Sequence, residues 1–452
     1  MDTPLLNALL EHIRLRTAPF HMPGHKGRME AFEDLASTAA LDVTELPDTG
    51  DLYAGDDVIA QAQELWAGAW GFHHCQFLTC GSTQGLHAAL LLAAQRPGVM
   101  LVDRCSHKSV YNALGLLDRK PVYLMRRQDQ AVSPALLEEG FTAMSAAGET
   151  VSTVCVTSPT YYGVLSDIPA LAKVAHGHGA LLVVDAAHGC HLPFLGANPF
   201  LGADLVVSSA HKTLSVYGQG ALLFSSGAYS PRDLRWAAGV CGTSSPSYPI
   251  MASMDWARAQ MEGPEGAREL QELAGTVAEL REEFSAMDGP GLDPLRLTLT
   301  LDAIAADGYQ VKEYLEGMGV FPEMADRDHV VFLLSPANTA QDLDRLRRGL
   351  EEVRRAWPGV FGAPMAPLDP PEPDVVLSPA RALTAPRLLR PLSQCEGLVC
   401  LQQVAPYPPG VPVIAQGERV TKKGLAYLRE VGYNIQEEVY MLDQSKWEEA
   451  RL

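Results

Sequence analysis

Long apolar runs are missing from this sequence. No uninterrupted apolar stretch approaches the roughly 20 residues that a membrane-spanning helix requires. The opening residues also lack the basic start, apolar block and cleavage site of a secretory signal, so we predict a cytoplasmic location. The 452 residues, of which 47% are hydrophobic, can bury a large core. This length suggests two domains, with three small segments around one main core as the alternative.

Paired cysteines and basic clusters are missing as well. None of the eight cysteines forms a CxxC pair or has a Cys/His spacing typical of zinc sites, so we predict neither a disulfide framework nor a metal ion. The 35 basic residues are outnumbered by 54 acidic ones, and the net charge of −19 argues against nucleic-acid binding. We interpret this balance as a solvated acidic surface, with an attraction for cationic small molecules as the alternative.

The segment between Phe77 and Phe224 alternates short apolar runs with helical patterns. This alternation is typical of an α/β fold in which helices cover both faces of a parallel sheet, and near-continuous apolar runs suit strands buried on both faces. The predicted strands cover residues 76–78, 99–102, 122–124, 151–156, 180–184, 204–207 and 221–224. The predicted helices cover residues 83–94, 108–117 and 168–178.

Beyond residue 255 the composition changes. Charged helical patterns at residues 258–287 and 339–356 surround connections rich in proline and glycine, of which residues 365–379 are typical of a linker. The last part, with a helix beginning near Thr421, is predicted to form a small α/β domain. We therefore predict an N-terminal segment (1–50), a large domain (51–255), a helix-rich connecting region (256–365) and a C-terminal domain (366–452).

A lysine follows one of the predicted buried strands. In Ser208-Ser-Ala-His-Lys-Thr-Leu214, Lys212 stands among small and hydroxylated residues just after the run 204–207. Desolvation lowers the pKa of a lysine and frees its amine as a nucleophile, for example for a Schiff base. A loop lysine near the surface is the alternative interpretation.

Asp185 follows the apolar run 180–184 and lies 27 residues before Lys212, about one strand–connection–strand unit. Because ligands collect at the carboxyl ends of parallel strands, both side chains would point into one crevice. A carboxylate there can keep a pyridine nitrogen protonated, which is its task in pyridoxal-phosphate (PLP) chemistry. A helix N-cap is the alternative role.

Two further motifs follow predicted strands. Cys80-Gly-Ser-Thr-Gln-Gly85 opens a predicted helix, where small residues let the backbone approach and the helix N-terminus attracts an anion, so we predict a phosphate cradle. Asp103-Arg-Cys-Ser-His-Lys108 places His107 at the same crevice, where its imidazole can lie against a pyridine ring. Helix capping and a structural histidine are the alternatives, but four such motifs in this order are far more specific than any one.

Taken together, the motifs resemble those of the ornithine/lysine/arginine decarboxylase family, in its smaller form without the N-terminal wing domain. The resemblance covers nearly the whole chain and implies a fold-type I PLP-dependent architecture, with a mainly parallel seven-stranded sheet and a small C-terminal α/β domain. Besides the segments above, it is carried by Pro19-Phe-His-Met-Pro-Gly-His-Lys-Gly-Arg28, Asp42-Val-Thr-Glu-Leu-Pro47, Val184-Asp-Ala-Ala-His-Gly189, Thr243-Ser-Ser-Pro-Ser-Tyr248 and Pro406-Tyr-Pro-Pro-Gly410.

The resemblance implies a role for the residues around a cofactor ring. Lys212 would carry PLP as the internal aldimine, Asp185 would pair with the pyridinium nitrogen, and His107 would stack on the ring. His188 would lie beside the ring. His107 and Lys212 are both candidates for returning a proton to Cα of the substrate, and the sequence leaves this choice open.

The resemblance also implies a phosphate site shared between subunits. Ser82, Thr83, Ser209 and His211 would hold the phosphate of PLP. Thr243 would reach the phosphate of the neighbouring subunit, so a homodimer would be the minimum active unit.

The implied reaction is decarboxylation of a basic amino acid (lysine, arginine, ornithine or a related compound) to carbon dioxide and the amine, as in polyamine metabolism. An aminotransferase or lyase is a second hypothesis, because this fold serves many reactions. A non-catalytic PLP-binding paralogue is a third.

Two positions depart from the family pattern. Gln402 stands where the family commonly has a glutamate, and Leu52-Tyr-Ala-Gly-Asp56 replaces a histidine-rich turn. Both regions could line the substrate pocket, so a shorter, modified or less basic substrate is left open. Asp56 or Asp57 would compensate for the lost carboxylate, with a solvated surface position as the alternative for each.

Overall fold

The computed structural model describes residues 2–15, 22–23, 26, 33–362, 368–407 and 409–449. The chain divides into two compact units. Unit 1 comprises Met1–Leu92, Val183–Leu273 and Ser335–Ala337, and unit 2 comprises Ala93–Leu182, Ala274–Leu334 and Asn338–Leu452. The predicted domain boundaries near residues 50, 255 and 365 stay a prediction.

A seven-stranded sheet is the central element of the fold. Its strands are β1 (His74–Leu78), β2 (Val99–Asp103), β3 (Pro121–Leu124), β4 (Val151–Thr157), β5 (Leu181–Asp185), β6 (Leu205–Ser208) and β7 (Ala221–Ser225). Their order is β1-β7-β6-β5-β4-β2-β3. β7 runs antiparallel to its neighbours β1 and β6, whereas β5 pairs parallel with β6, and β2 pairs parallel with both β3 and β4. The predicted mainly parallel sheet of seven strands is confirmed.

The strands are buried because their residues are apolar on both faces. Every residue of β2, β5, β6 and β7 is buried, which matches near-continuous apolar runs such as Leu-Leu-Val-Val in β5. In unit 1 the Trp70 ring stacks on Phe224 of β7, with 4.1 Å between ring centroids. The apolar residues therefore decide which segments lie inside, and the polar residues are displaced to the strand ends.

Helices connect and flank these strands. They are α1 (Pro4–Arg14), α2 (Glu33–Leu41), α3 (Val58–Trp70), α4 (Gly81–Ala93), α5 (Lys108–Leu116), α6 (Pro134–Ala146), α7 (Ile168–Gly177), α8 (Ala210–Thr213), α9 (Pro231–Cys241), α10 (Tyr248–Glu262), α11 (Pro264–Glu283), α12 (Gly308–Gly317), α13 (Ala340–Ala356), α14 (Pro379–Thr384), α15 (Lys422–Glu430) and α16 (Gln444–Glu449). The three helices predicted between the strands correspond to α4, α5 and α7, whereas α6 was not predicted. Over the ranges that the structure describes, no helix has the length and hydropathy to cross a membrane.

Two smaller sheets lie in unit 2. β8 (Arg296–Thr300), β9 (Met324–Ala325) and β10 (His329–Leu333) form a sheet in the order β8-β10-β9. β11 (Arg387–Pro391) pairs antiparallel with β12 (Glu438–Leu442) in the C-terminal domain. The predicted helix near Thr421 is confirmed, because the Thr421 hydroxyl caps α15 by accepting from the Gly424 N–H (3.0 Å).

Candidate functional site

The carboxyl ends of β1, β5 and β6 meet at one edge of the central sheet. Leu78, the last residue of β1, pairs with Ala221 of β7, and Ser208, the last residue of β6, pairs with the next residue of β7. Asp185, the last residue of β5, pairs with Val207 of β6. The segments that follow these three strands therefore form one group of residues in unit 1.

Lys212 lies in a single helical turn, α8, directly after β6. Its backbone N–H donates to the Ser209 carbonyl (3.2 Å). The side chain is partly buried, and its Nζ lies 3.1 Å from Nε2 of His188. At this distance the two nitrogens share a hydrogen bond, so the amine has a defined position at the sheet edge.

Asp185 is the buried last residue of β5. It is 2% exposed, and its Oδ1 accepts a hydrogen bond from the Ala187 N–H (3.1 Å). The Ala186 N–H donates to the Val207 carbonyl (2.8 Å), and the Ser208 hydroxyl donates to the Ala186 carbonyl (2.9 Å). These bonds hold the Asp185 carboxylate beside the strand end from which α8 begins.

The turn between β1 and α4 reaches the same edge. Gly81 has a φ of +74°, which L side chains rarely adopt, and its N–H donates to the Gln219 carbonyl (2.9 Å). The Gln84 side chain closes the turn, because its Oε1 accepts from the Cys80 N–H (3.1 Å) and its Nε2 donates to the Ala238 carbonyl (2.8 Å). We did not predict this role of Gln84, although its long polar side chain stands out in a motif of small residues.

Ser82 and Thr83 stand in the first turn of α4. The first N–H groups of a helix have no acceptor within it, so this 13-residue helix presents donors and the positive end of its dipole at this point. Ser82 is partly buried and Thr83 is exposed. This geometry suits the anion that the motif predicts.

Ser209 and His211 differ in what they offer to an anion. The Ser209 Oγ is buried and has no hydrogen-bond partner among the described residues. The His211 Nδ1 donates to the Gly220 carbonyl (2.8 Å), and burial lowers the pKa of His211. A neutral His211 ring therefore presents Nε2 only as an acceptor, so a phosphate would bind it only with a shared proton, whereas Ser209 has a hydroxyl to donate.

A short segment connects the two groups predicted to hold phosphate. The Gln219 carbonyl accepts from Gly81 at the start of α4, and the next carbonyl, that of Gly220, accepts from the His211 N–H (3.1 Å). The structure therefore brings together, within unit 1, these predicted site residues: Ser82, Thr83, Asp185, His188, Ser209, His211 and Lys212.

Thr243 lies just after α9 and beside the first turn of α4. Its carbonyl accepts from the Tyr53 hydroxyl (3.1 Å), and its Oγ1 accepts from the Ser245 N–H (3.1 Å). A Cβ at the preceding Gly242 would lie 2.0 Å from the Gln84 Nε2 and 2.9 Å from the Ala238 carbonyl oxygen, so a side chain there would displace Gln84 and press on the backbone of α9. The predicted contact of Thr243 with a neighbouring subunit stays a prediction.

His107 belongs to unit 2, where it caps α5. Its Nδ1 accepts from the Ser109 N–H (3.3 Å) and lies 2.8 Å from the Ser109 hydroxyl, so Nε2 carries the proton of the neutral ring. The Lys108 N–H donates to the Gly410 carbonyl (3.1 Å), and a Cβ at Gly410 would lie 3.3 Å from the His107 ring. Gly410 therefore packs closely on the His107 ring. That His107 stacks on a cofactor ring stays a prediction.

Near the two positions that depart from the family pattern, the Gln402 and Asp57 side chains bind backbone N–H groups. The Gln402 Oε1 accepts from the Tyr440 N–H of β12 (2.9 Å), so this side chain supports the C-terminal strand pair. The Asp57 carboxylate caps α3 by accepting from the Ile59 N–H (2.8 Å), and it also accepts from the Asp51 N–H (2.6 Å). Of the motif at residues 19–28, only 22, 23 and 26 lie within the described residues, and Pro408 also lies outside them.

The sequence predicts neither a disulfide framework nor a metal ion. All eight cysteines are free thiols, and burial raises the pKa of Cys190 to about 12. In the described part of the chain, no cluster of three or more His, Cys, Asp or Glu side chains could hold a metal ion.

Comparison with known protein families gives two matches. The model of the Orn/Lys/Arg decarboxylase major domain matches residues 3–298, and that of the Orn/Lys/Arg decarboxylase C-terminal domain matches residues 374–437. Among curated proteins, the Bacillus subtilis "Uncharacterized protein YaaO" is 32% identical over 95% of this chain and 94% of its own length. An arginine decarboxylase of Bacillus subtilis is 27% identical over 94% of this chain and 93% of its own length.

A solved structure gives the same fold. The constitutive lysine decarboxylase of Escherichia coli superposes with a TM-score of 0.78 at 20% identity, covering 98% of this chain and 82% of that one. The predicted fold-type I architecture is thereby confirmed. The two family matches cover most of the sequence, and the chain belongs to the Orn/Lys/Arg decarboxylase family, whose members are PLP-dependent amino-acid decarboxylases.

Proposed function

We propose that this protein is a PLP-dependent decarboxylase that converts a basic amino acid, such as lysine, arginine or ornithine, into carbon dioxide and the corresponding amine. The observation that carries the proposal is the Lys212 amine, held 3.1 Å from His188 Nε2 at a strand end beside the buried Asp185 carboxylate. Family membership supports the same reaction class.

The residues at the sheet edge fit PLP. A partly buried primary amine suits the aldehyde, and a buried carboxylate on the adjacent strand suits a protonated pyridine nitrogen. The Ser209 hydroxyl lacks a partner among the described residues, and the first turn of α4 presents backbone donors, so both suit a phosphate. When bound, PLP supplies an electron sink for the pair of electrons left on Cα after carbon dioxide departs.

Each side chain then has a task that follows from its place. Lys212 would hold the cofactor and yield its place to the substrate amine, with His188 hydrogen-bonded to Nζ. Asp185 would keep the pyridine nitrogen protonated, since a buried carboxylate favours a cationic partner. His107 and Lys212 are the two candidates for giving a proton to Cα, one through Nε2 and the other through Nζ.

The substrate class rests on charge and on relatives. A net charge of −19 favours the approach of a cationic substrate. Of the two similar Bacillus subtilis proteins, the one that is 27% identical is an arginine decarboxylase. Because the Gln402 side chain binds the backbone of β12, we propose that its change from the family glutamate alters the C-terminal strand pair rather than a substrate contact. We also propose an active homodimer, in which Thr243 contacts the phosphate of the neighbouring subunit.

A screen for carbon dioxide release tests the proposal. The PLP-loaded protein is incubated with a panel of basic amino acids, and both gas and amine are measured by mass spectrometry. We expect turnover of at least one basic amino acid and its loss by about 10³-fold or more in Lys212→Ala, because the covalent nucleophile is removed. Lys212→Arg is the matched control, since it keeps the positive charge but not the reactive amine.

Two outcomes would contradict the proposal. One is the absence of carbon dioxide from every basic amino acid, and conversion of the cofactor to its amine form would then indicate an aminotransferase. The other concerns Lys212 itself: borohydride treatment of the loaded protein should fix a pyridoxyl group on this side chain, and peptide mapping that finds none would remove its role.

A further inference from the structure

A second buried hydroxyl stands next to Lys212 on the short helix α8. Thr213 is 2% exposed, and its Oγ1 has no hydrogen-bond partner among the described residues. The same holds for the Oγ of Ser209, four residues earlier, which is 0% exposed. A buried hydroxyl without a partner is unfavourable, so two of them within one helical turn indicate a ligand that binds there.

Helical periodicity places the two hydroxyls on one side of α8. Hydrogen bonds from the Lys212 N–H to the Ser209 carbonyl (3.2 Å) and from the Leu214 N–H to the Ala210 carbonyl (3.0 Å) close this turn. Residues three and four positions apart on a helix are neighbours, with about 5–6 Å between their Cβ atoms. Lys212 and Thr213 therefore both lie beside Ser209.

The spacing of the two hydroxyls suits one polar group between them. A hydroxyl reaches an oxygen at about 2.7–2.8 Å, so two hydroxyls whose Cβ atoms are about 5–6 Å apart can bind the same group from two sides. Each hydroxyl has a proton to donate, which Ser209 and Thr213 do not use within the described chain. A group with several acceptor oxygens, such as a phosphate, matches both.

The other polar side chains of α8 are already engaged. The His211 Nδ1 donates to the Gly220 carbonyl (2.8 Å), and the Lys212 Nζ lies 3.1 Å from Nε2 of His188. Both side chains are thereby oriented by groups of unit 1. On this helix, the hydroxyls of Ser209 and Thr213 are the groups with donor capacity left for a ligand.

We propose that Thr213 is a phosphate-binding residue, whose hydroxyl donates to the phosphate of PLP together with that of Ser209. This rests on the proposed function, because it takes PLP as the ligand joined to Lys212. In PLP the aldehyde and the phosphate-bearing arm stand on neighbouring ring carbons, so a cofactor held by Lys212 brings its phosphate to the same helical turn. Thr213 is not among the residues that the family resemblance assigns to the phosphate.

Binding titrations with PLP and with pyridoxal test the proposal. Pyridoxal has the same ring and aldehyde but no phosphate, so the pair separates contacts to the phosphate from all others. Thr213→Val removes the hydroxyl and keeps the shape of the side chain. We expect it to weaken PLP binding to the ligand-free chain about tenfold, because a hydrogen bond to a charged group is lost. Pyridoxal binding should stay unchanged, and absorbance measures both.

The stability of the ligand-free chain should respond differently. Thr213→Val replaces a buried hydroxyl without a partner by a methyl group, so the midpoint of urea unfolding should stay the same or rise. Thr49→Val is the matched control, because Thr49 is also buried but its hydroxyl donates to the Thr44 carbonyl (2.7 Å). This control should unfold at a lower urea concentration and bind PLP normally. Thr213→Ser keeps the hydroxyl and should also bind PLP normally.

Three results would overturn the proposal. Unchanged PLP binding in Thr213→Val would mean that this hydroxyl binds an ordered water only. Equal losses with PLP and with pyridoxal would place the hydroxyl on the ring rather than on the phosphate. A loss of stability in ligand-free Thr213→Val as large as that in Thr49→Val would make the hydroxyl structural. Where Thr213→Val does not fold, Thr213→Ala lacks the same hydroxyl and gives the same comparison of the two ligands.

None of these measurements depends on carbon dioxide release. A chain that shows the expected differences in PLP binding but releases no carbon dioxide would contradict the proposed function alone. A chain that releases carbon dioxide but binds PLP equally well with and without the Thr213 hydroxyl would contradict only the role of Thr213.

Discussion

Two strand ends of the central sheet carry a basic residue in different surroundings. After β6, in unit 1, the Lys212 amine lies against an imidazole, and the neighbouring Ser209 hydroxyl has no partner among the described residues. After β2, in unit 2, the Arg104 guanidinium is 3% exposed and binds both oxygens of Glu418 (2.6 and 2.9 Å) and the Val413 carbonyl (2.9 Å). The Arg104 guanidinium is thus held by a carboxylate and a carbonyl, whereas the segment after β6 keeps an unused hydroxyl at Ser209. The Ser106 hydroxyl after β2 also has no partner among the described residues, so the contrast concerns the two basic side chains themselves.

The difference separates a candidate ligand site from a structural ion pair. A buried polar group without a partner is unfavourable, so it marks a place where a ligand stabilises the protein. A buried ion pair with both members hydrogen-bonded fixes the segments that it joins, here the end of β2 and the C-terminal domain. Position at a strand end alone does not distinguish the two basic residues, whereas the groups that bind Arg104 and Lys212 do.

The largest effect is expected at the Arg104–Glu418 pair. Arg104→Met leaves a buried carboxylate unpaired and should lower the free energy of unfolding by about 3–5 kcal/mol. The double variant Arg104→Met/Glu418→Leu should recover most of this loss, because no charge stays buried. Lys120→Met breaks the exposed pair with Glu149 and should change stability by no more than about 1 kcal/mol. Urea unfolding measures all three, and a double variant as unstable as the single one would contradict the pairing.

The second prediction concerns Asp185, which ends β5 beside the segment that carries Lys212. Asp185→Asn keeps the hydrogen bond from the Ala187 N–H but removes the charge proposed for the cofactor. We expect decarboxylation to fall by about 10²–10³-fold, as for the loss of other preorganised electrostatic groups. The free energy of unfolding should hardly change. Asp233→Asn, in the exposed capping box of α9, is the control and should keep full activity; equal activity in both variants would remove Asp185 from the mechanism.

Two adjacent serines after β6, Ser208 and Ser209, differ in their hydrogen bonds. The Ser208 hydroxyl donates to the Ala186 carbonyl (2.9 Å), so Ser208→Ala should cost about 1 kcal/mol of stability. The Ser209 hydroxyl has no partner in the described chain, so Ser209→Ala should cost no stability but should weaken PLP binding about tenfold. Absorbance titration with PLP and urea unfolding separate the two effects. A stability loss in Ser209→Ala alone would show that this hydroxyl is structural.

The smallest change in stability is expected at the hydrogen bond between His329 and Asp326. Burial alone lowers the pKa of His329, but the hydrogen bond from its Nδ1 to Asp326 (3.1 Å) and the charge of Asp326 outweigh burial and raise the pKa. The protonated His329 therefore stabilises the folded state fully below the ordinary histidine pKa of about 6.5. This stabilisation is lost as the pH rises through the raised pKa of His329 in the folded protein. His329→Gln should cost about 1 kcal/mol near pH 6 and less near pH 9. Equal costs in urea unfolding at both values would contradict this.

Much of the fold could be predicted because it depends on local patterns. The apolar runs that form β2, β5 and β6 are continuous in the sequence, and polar residues end each of them. The strand-end rule then placed Asp185 and Lys212 at one edge of the sheet. The sheet β8-β10-β9 was not predicted, because its short strands lie among charged helices and pair across about 30 residues.

The family, the seven central strands and the residue types at their ends can be read from the amino-acid order, since they follow from apolar runs and contiguous motifs. Which polar groups have partners becomes visible in the folded chain: Gln402 binds β12, Glu418 binds Arg104, and the Ser209 hydroxyl has no partner among the described residues. The folded chain also brings Gln128 and Tyr427 into one cleft of unit 2, although they are far apart in the sequence. The physical reason is that a hydrogen bond depends on distance and direction in space, and no local pattern encodes the approach of remote segments.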